Sequence, residues 1–159
     1  MAIKLPPNQG EILICDFSGS VEPEIGKKRP VIVLTPRFRR IQRLLTVIPL
    51  STTAPSPVQS WHTRIRVDLT SPYESPECWA KCDLIQTVSW ERLSLFRAGK
   101  DCDGERIYPR IVLDEKSMEQ VWECVLHGLG RGDLVKLKLN YEELQNRLTT
   151  RANASIKNN

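Results

Sequence analysis

The chain has 159 residues, 40% hydrophobic and 26% charged, which suffices for one hydrophobic core but not for two independent domains. No apolar run approaches the roughly 20 residues of a membrane-spanning helix, and residues 1–10 lack the apolar segment of a secretory signal. The net charge of +4 is modest, and the odd number of five cysteines favours free thiols over a disulfide framework. We therefore expect a cytoplasmic protein that makes no membrane contact.

The first half of the chain predicts four short strands. Apolar and β-branched runs bounded by turn residues are typical of strands, and such runs cover residues 11–17, 30–35, 44–50 and 63–68. The second run is apolar almost throughout, which indicates a strand buried on both faces. A polar, charged loop is predicted between the first two runs.

The second half predicts one more strand and a packed helix. Residues 78–85 predict the strand after a turn-rich stretch at 71–76, and residues 90–95 predict a short helical turn. Asp114 is suited to cap a helix that runs to about His127 and stops at Gly128, and its core-facing residues are Met118, Val121, Trp122 and Val125.

Short strands in this number are typical of a small β-barrel, so the predicted fold class is mainly β with one packed C-terminal helix. We expect residues 1–130 to form the barrel domain. Residues 131–159 would form a C-terminal extension that is partly helical and then disordered from Ala152 onward, where small and polar residues predominate.

The positive charges are unevenly distributed. Seven cations fall within seventeen residues that contain no acidic residue; they are Lys27, Lys28, Arg29, Arg37, Arg39, Arg40 and Arg43. Such a local field suits a phosphate backbone. A solvated basic face without a ligand is the alternative.

Four segments of the chain form a recognisable pattern; they are residues 10–17, 26–34, 47–52, and 83–87 followed by Arg92-Leu93. In order and spacing this pattern resembles the MazF/PemK family of toxins from type II toxin-antitoxin systems. The resemblance covers about residues 8–95. It implies an SH3-like barrel that forms a homodimer, binds single-stranded RNA in a groove at the dimer face and cuts it at a short sequence without a cofactor or metal. A cognate antitoxin would block that groove.

The resemblance places catalysis at Arg29, just before the strand-opening Pro30, and at Ser51, where the family carries a threonine. Cleavage by the 2′-hydroxyl of RNA requires removal of its proton, stabilisation of a pentavalent phosphorane and protonation of the 5′ oxygen. A guanidinium matches phosphate oxygens bidentately and stays charged, so Arg29 suits the second task. Ser51 lacks the methyl group of threonine but keeps its donor and acceptor.

Seven further residues are candidates for RNA binding; they are Lys27, Lys28, Thr52, Trp61, His62, Asp83 and Gln86. The two lysines and Thr52 would hold phosphates while the loop at 18–28 closes over the RNA. His62 and Trp61 lie outside the family pattern. His62 would act as an acid or base or be structural, and Trp61 would stack on a base or pack in the core or dimer interface.

Two positions depart from the family pattern. Leu84 stands where many members carry a glutamine that can reach RNA, and Gln86 stands where a basic residue is common. Asp83 and Thr87 match, and Asp83 would be either an acceptor for a base edge or a carboxylate that caps the ladder. The sequence specificity is therefore open.

The sequence offers few candidate ligands for a metal ion. Cys78 and Cys82 would need two further zinc ligands, which His62 and His127 are not spaced to supply. Three carboxylates in or beside the first loop would be magnesium ligands of a conventional nuclease or simply solvated groups; they are Asp16, Glu22 and Glu24.

Two other functions compete with RNA cleavage. The first is a non-catalytic toxin fold that binds RNA or inhibits gyrase, which the Leu84 and Ser51 departures favour. The second is a housekeeping SH3-like scaffold, which fits the C-terminal extension but leaves the basic cluster unexplained.

Overall fold

A computed structural model describes residues 3, 6–36 and 43–157, with side chains in these ranges up to residue 150. Arg37, Arg39 and Arg40 of the basic cluster, and residues 158–159 of the tail predicted to be disordered, lie outside the described residues. The elements are β1 (Glu11–Cys15), β2 (Arg29–Val33), β3 (Leu44–Ser51), β4 (His62–Leu69), β5 (Ser75–Lys81), β6 (Gln86–Ser89), β7 (Leu93–Ser94), β8 (Ile111–Val112), α1 (Glu115–Gly128) and α2 (Gly132–Lys157).

The strands pair antiparallel in the order β4-β5-β3-β2-β1-β7. Strand β3 is the centre of this arrangement, because its first half pairs with β6 and its last residues pair with β5, while β2 pairs with it as well. The short β8 pairs with β1. The result is a curled half-barrel followed by helices, and it confirms the predicted mainly β fold class.

Side chains alternate between the two faces of the sheet, and each face carries a core. Ile32 and Ile48 face the core that also contains Val121 and Val125 of α1, whereas Val31 belongs to the other core. The second core is further composed of Leu13, Cys15, Phe17, Val33, Leu45, Val47, Val88 and Leu93. In β2 and β3 the even-numbered residues therefore face the core that contains α1, and the odd-numbered residues face the second core.

Helix α1 begins as predicted, with the Asp114 carboxylate accepting a hydrogen bond from the Ser117 N–H at 2.8 Å. The helix ends within one residue of the predicted position, but the chain does not reverse at Gly128. Gly128 is still helical, and the chain reverses at Gly130, whose φ is +73° and whose N–H donates to the His127 carbonyl. Trp122 is also misassigned to the core, because 38% of it is exposed.

Other differences arise around β5. This strand begins at Ser75, inside the stretch predicted as a turn, because Pro76 lies within the register shift between β4 and β5 and need not donate to the ladder. β5 ends at Lys81 and not at the predicted residue 85, and residues 86–89 form a separate strand, β6, that the sequence did not predict. The predicted helical turn at 90–95 is a 3-10 turn of three residues, Trp90–Arg92, followed by β7.

Helix α2 continues through residues 152–157, which the sequence predicts to be disordered. Within the described ranges, neither helix combines the length and the apolarity that crossing a bilayer requires. The five cysteines are all unpaired thiols.

Polar contacts anchor the loop between β1 and β2 at both ends. The Arg92 side chain donates to the carbonyls of Asp16 and Ser18, each at 2.9 Å. The Asp16 carboxylate accepts from the Ser18 N–H at 3.0 Å and pairs with Lys28 Nζ at 3.2 Å. The Ser18 hydrogen bonds first and then Lys28 lower the pKa of Asp16 to about 2. At the far end, the Tyr73 hydroxyl donates to the Lys28 carbonyl at 3.1 Å.

We predict that two alanine substitutions at the end of α1 destabilise the protein to different extents and for different reasons. A Cβ at Gly128 would lie 2.7 Å from the Cys82 carbonyl oxygen, so Gly128→Ala should lower the unfolding free energy even though helix propensity favours alanine by ~1 kcal/mol. A Cβ at Gly130 meets nothing within 4 Å, so Gly130→Ala should cost only its backbone strain, about 1 kcal/mol. Urea unfolding of both variants measures the difference. A Gly128→Ala variant as stable as the wild type contradicts the close packing.

The Asp16 contacts predict an acid-sensitive loop. Because its folded pKa of about 2 lies below the roughly 3.9 of an unfolded aspartate, Asp16 contributes stability above about pH 4 and loses it as the pH falls through 2. The melting temperature of Asp16→Asn should therefore be lower than that of the wild type at pH 7, and the gap should shrink below pH 4. Asp103→Asn is the control, because its carboxylate bonds to no described residue. A gap that stays constant down to pH 2 contradicts the assignment.

Candidate active site

The register of β2 and β3 brings the two predicted catalytic residues together. Val33 pairs with Val47 and Val31 pairs with Pro49 on one face of the sheet. Continuing this antiparallel register by one more pair on the same face sets Arg29 opposite Ser51. These two polar residues thus extend a row whose inner members belong to the second core.

A small cavity of about 50 Å³ lies at this point, and we call it the Ser51 cavity. Arg29 and Ser51 line it from the strands, Ile25 from the first loop, and Lys81 and Leu84 from the end of β5 and the following turn. Ser51 is buried, at 8% exposure, whereas Leu84 is 37% exposed. The cavity therefore joins a shielded hydroxyl to two cationic side chains and an accessible apolar one.

A second cavity of about 210 Å³ adjoins the first and shares Arg29 with it. We call it the Tyr73 cavity. Lys27, Lys28, Thr52 and the Tyr73 ring line it together with apolar groups, and burial raises the pKa of the neighbouring Cys78 thiol. Among the described residues, those lining the two cavities include no carboxylate. The surroundings of Arg29 are therefore electropositive.

The hydrogen bonds of the two central residues leave donors available. Arg29 Nε is buried and bonds to no described residue. Ser51 Oγ accepts a hydrogen bond from the Thr53 N–H at 3.2 Å, which orients the hydroxyl and leaves its proton free to be donated. A buried N–H without a partner carries a free-energy penalty that an acceptor ligand would remove. A guanidinium beside an oriented hydroxyl is a combination suited to an anionic group.

The two lysines at the Tyr73 cavity differ in their partners. Lys28 is held by Asp16, whereas Lys27 forms no ion pair with a described carboxylate. Thr52 is exposed beside them. The predicted phosphate-binding residues therefore lie together at one cavity with Arg29.

Trp61 and His62 lie outside both cavities. His62 Nδ1 accepts from the Gln59 N–H at 3.2 Å, so the neutral ring carries its proton on Nε2, which lies 3.7 Å from the Asp83 carboxylate. The His62 side chain is 9% exposed, and the Trp61 ring meets it in a T-shaped contact with the centroids 5.9 Å apart. These contacts give His62 a structural partner, and its role toward RNA stays a prediction.

Asp83 and Gln86 both follow β5 in the chain. Asp83 is exposed in the turn after β5, and Gln86 is half-buried opposite Val47, which precedes Ser51 on β3. Neither lines a cavity with Arg29. Their contacts with RNA also stay predictions.

Two residues of the site were missed by the sequence analysis. Lys81 alternates with the buried Ala80 and Cys82, so alternation places it on the opposite face of β5, but only the pairing of β5 with β3 brings it to Ser51. Tyr73 lies in a turn rich in serine and proline and carries no local signal of its role. Both depend on long-range pairing.

The part of the chain that the structure describes contains no group of three or more His, Cys, Asp or Glu side chains placed to hold a metal ion. Cys78 and Cys82 are each buried as free thiols.

Comparison with known proteins identifies relatives of this chain. The sequence profile of the PemK-like, MazF-like toxins of type II toxin-antitoxin systems matches residues 8–127. The YifN protein of Escherichia coli K12 is 31% identical over an alignment of 118 residues, which covers 61% of this chain and 78% of YifN.

Solved structures share the fold. The MazF structure from Deinococcus radiodurans superimposes with a TM-score of 0.53 at 17% identity, covering 78% of this chain and 96% of that one. The Mycobacterium tuberculosis toxin MazF-mt6 gives 0.50 at 19% identity, covering 76% and 96%. Because the family profile spans most of the chain and these folds agree with its half-barrel, the chain belongs to the PemK-like, MazF-like toxin family of type II toxin-antitoxin systems.

Proposed function

We propose that this chain is an endoribonuclease that cleaves single-stranded RNA at a short sequence by attack of the RNA's own 2′-hydroxyl, without a metal. Arg29 and Ser51 are the proposed catalytic residues. The M. tuberculosis and D. radiodurans proteins of the same fold are MazF toxins, and another protein of this fold, from a mycobacterial species, is an endoribonuclease. RNA is therefore the substrate class that the relatives favour.

The observation that carries the proposal is the pairing of an unpartnered, buried Arg29 Nε with an oriented Ser51 hydroxyl in one cavity. The guanidinium fork matches two oxygens of a phosphodiester, and the serine proton suits a non-bridging oxygen. Both groups are fixed by strands of a sheet, so they need little reorganisation as charge develops on the phosphorane.

In the proposed reaction, Arg29 and Ser51 stabilise the charge on the phosphorane and transfer no proton. The 2′ oxygen forms a bond to phosphorus as it loses its proton, and the bond from phosphorus to the 5′ oxygen breaks as that oxygen gains a proton. The products are a 2′,3′-cyclic phosphate and a 5′-hydroxyl. Because the residues lining the Ser51 cavity include no carboxylate or imidazole among those described, we assign the two proton transfers to water.

The other lining residues would hold the substrate. Lys27 and Lys28 are placed to bind phosphates that flank the cut, and Thr52 can donate to one of them. Lys81 adds a charge on the opposite side of Arg29, and Leu84 offers an apolar contact in place of a polar one. We also propose RNA contacts for Asp83, Gln86, Trp61 and His62, all of which lie farther out.

We further propose that the chain acts in the cytoplasm as a homodimer and that a cognate antitoxin protein covers the cavities. The family description names a type II toxin-antitoxin system, in which toxin and antitoxin are both proteins. An acidic antitoxin segment would complement the electropositive lining of the two cavities.

Arg29→Ala should abolish most RNA cleavage, because it removes the charged fork at the phosphorane. The loss of one such donor is expected to lower the cleavage rate about 10²–10³-fold, and Arg29→Lys should lose less because it keeps the charge. The measurement is cleavage of a long single-stranded RNA in EDTA, with the 5′ ends of the fragments mapped by sequencing.

Arg147→Ala is the matched control, since Arg147 is an exposed arginine on α2 that pairs with Glu143. It should cut like the wild type. Full activity of a folded Arg29→Ala variant contradicts the catalytic assignment. Intact RNA with the wild-type protein would instead favour a non-catalytic toxin that binds RNA or inhibits gyrase, which DNA breaks in expressing cells would reveal.

Ser51→Ala should lower cleavage about 10–100-fold, the value of one hydrogen bond to a charged group, whereas Ser51→Thr should retain activity. Ser89→Ala is a close control, because Ser89 Oγ accepts from the N–H two residues on at 3.2 Å, as Ser51 Oγ does, but lies outside both cavities. Single-turnover rates compare the three variants. Equal losses in Ser51→Ala and Ser89→Ala would reduce Ser51 to a local structural role.

A further inference from the structure

We propose that the Tyr73 cavity is a nucleobase-binding site that stacks one base of the RNA on the Tyr73 ring, next to the phosphate held by Arg29. This inference rests on the proposed function, because it names the part of the substrate that occupies the second cavity. It makes Tyr73 a residue that determines sequence specificity.

The cavity has the two-sided chemistry of a nucleotide site. Arg29, Lys27 and Lys28 provide cations at its edge, while Pro30, Leu50 and Cys78 provide apolar groups. If the cavity bound only a second phosphate, its apolar groups would have no contact with the RNA. A base next to a bound phosphate satisfies both parts, since stacking needs an apolar surface and the backbone needs positive charge.

The Tyr73 ring is held in place before any ligand binds. Its hydroxyl donates to the Lys28 carbonyl, and its ring meets the buried Phe96 in a T-shaped contact with the centroids 6.3 Å apart and the planes at 80°. The side chain is half-buried against the core that contains Val121 and Val125, and it also lines the Tyr73 cavity. Because the ring is fixed at both ends, stacking on it costs little side-chain entropy.

Arg29 links the base to the chemistry. It lines both cavities, so a phosphate on its guanidinium lies between the hydroxyl of Ser51 on one side and the ring of Tyr73 on the other. A base stacked on Tyr73 would therefore belong to a nucleotide adjoining the cleaved bond.

The test is a double-mutant cycle, in which one change replaces Tyr73 and the other removes one base from the RNA. The probe is a single-stranded RNA of about ten nucleotides around the mapped cleavage site, with a 2′-deoxy sugar at the cut so that it binds without reacting. One base at a time is replaced by an abasic nucleotide, and affinity is measured by fluorescence anisotropy. The proteins are the wild type, Tyr73→Leu, Tyr73→Phe and Tyr141→Leu, the last altering an exposed tyrosine on α2.

We expect one abasic position beside the cut to weaken binding about 10-fold in the wild type, in Tyr141→Leu and in Tyr73→Phe, which keeps the ring. The same abasic RNA should bind Tyr73→Leu nearly as well as the complete RNA does. An abasic loss of equal size in Tyr73→Leu overturns the base site while leaving the proposed function intact. Failure of the wild type to bind or cut any RNA overturns the proposed function and the base site together.

If Tyr73→Leu does not fold, crosslinking of the wild-type protein decides the matter. The same RNA carries a photoreactive base, a 5-iodopyrimidine or an 8-azidopurine, at each position in turn. A crosslink to Tyr73 from a nucleotide beside the cut supports the site, and crosslinks confined to other residues overturn it.

Discussion

The register between β2 and β3 is the constraint on which the site depends. Strand residues alternate between faces, so a slip of one residue would turn Ser51 toward the α1 core and Leu50 toward the Ser51 side of the sheet. The pairs Val31–Pro49 and Val33–Val47 prevent this slip, because all four residues fill the second core or extend its row. The hydrophobic packing of the sheet interior therefore fixes where the Arg29 guanidinium and the Ser51 hydroxyl meet.

The same strand explains how two distant segments reach this point. The pairing of β3 with β6 ends at Val47, and β3 then pairs with β5 at Leu50 and Ser51. The change of partner bends the sheet, and it delivers Lys81 and the following turn to the rim beside Ser51. A flat sheet with one partner per edge would leave Arg29 and Ser51 at an open strand end, without the walls that form a cavity.

The sequence was sufficient for the parts of this arrangement that local patterns encode. Strands β1 to β4 were placed within about two residues, since their apolar runs have clear turn residues at both ends. Arg29 and Ser51 came from a resemblance, not from periodicity, and the fold brings them to one cavity. The start of β5 was misplaced because Pro76 and the turn residues before it favour a turn, and the register shift that accommodates Pro76 depends on the partner strand β4. The reason for a glycine at position 128 could not be predicted either, because the need for a small residue there comes from the carbonyl of Cys82, in the turn after β5.

A conflict within the electropositive rim shows how the loop can bind an anion and keep its shape. Asp16 neutralises part of the Lys28 charge. The phosphate of the proposed RNA substrate would compete with this carboxylate, whose pKa is lowered to about 2 and which therefore remains ionised near neutral pH. If Lys28 turned to a phosphate, Asp16 would keep its hydrogen bond from Ser18, and the backbone of the loop would remain anchored by Arg92 and by the Tyr73 hydroxyl. Those anchors use carbonyl oxygens and no lysine side chain. The Lys28 ammonium can thus exchange Asp16 for a phosphate without loosening the loop between β1 and β2. The Tyr73 cavity can therefore be preformed even though one of its cations is free to move.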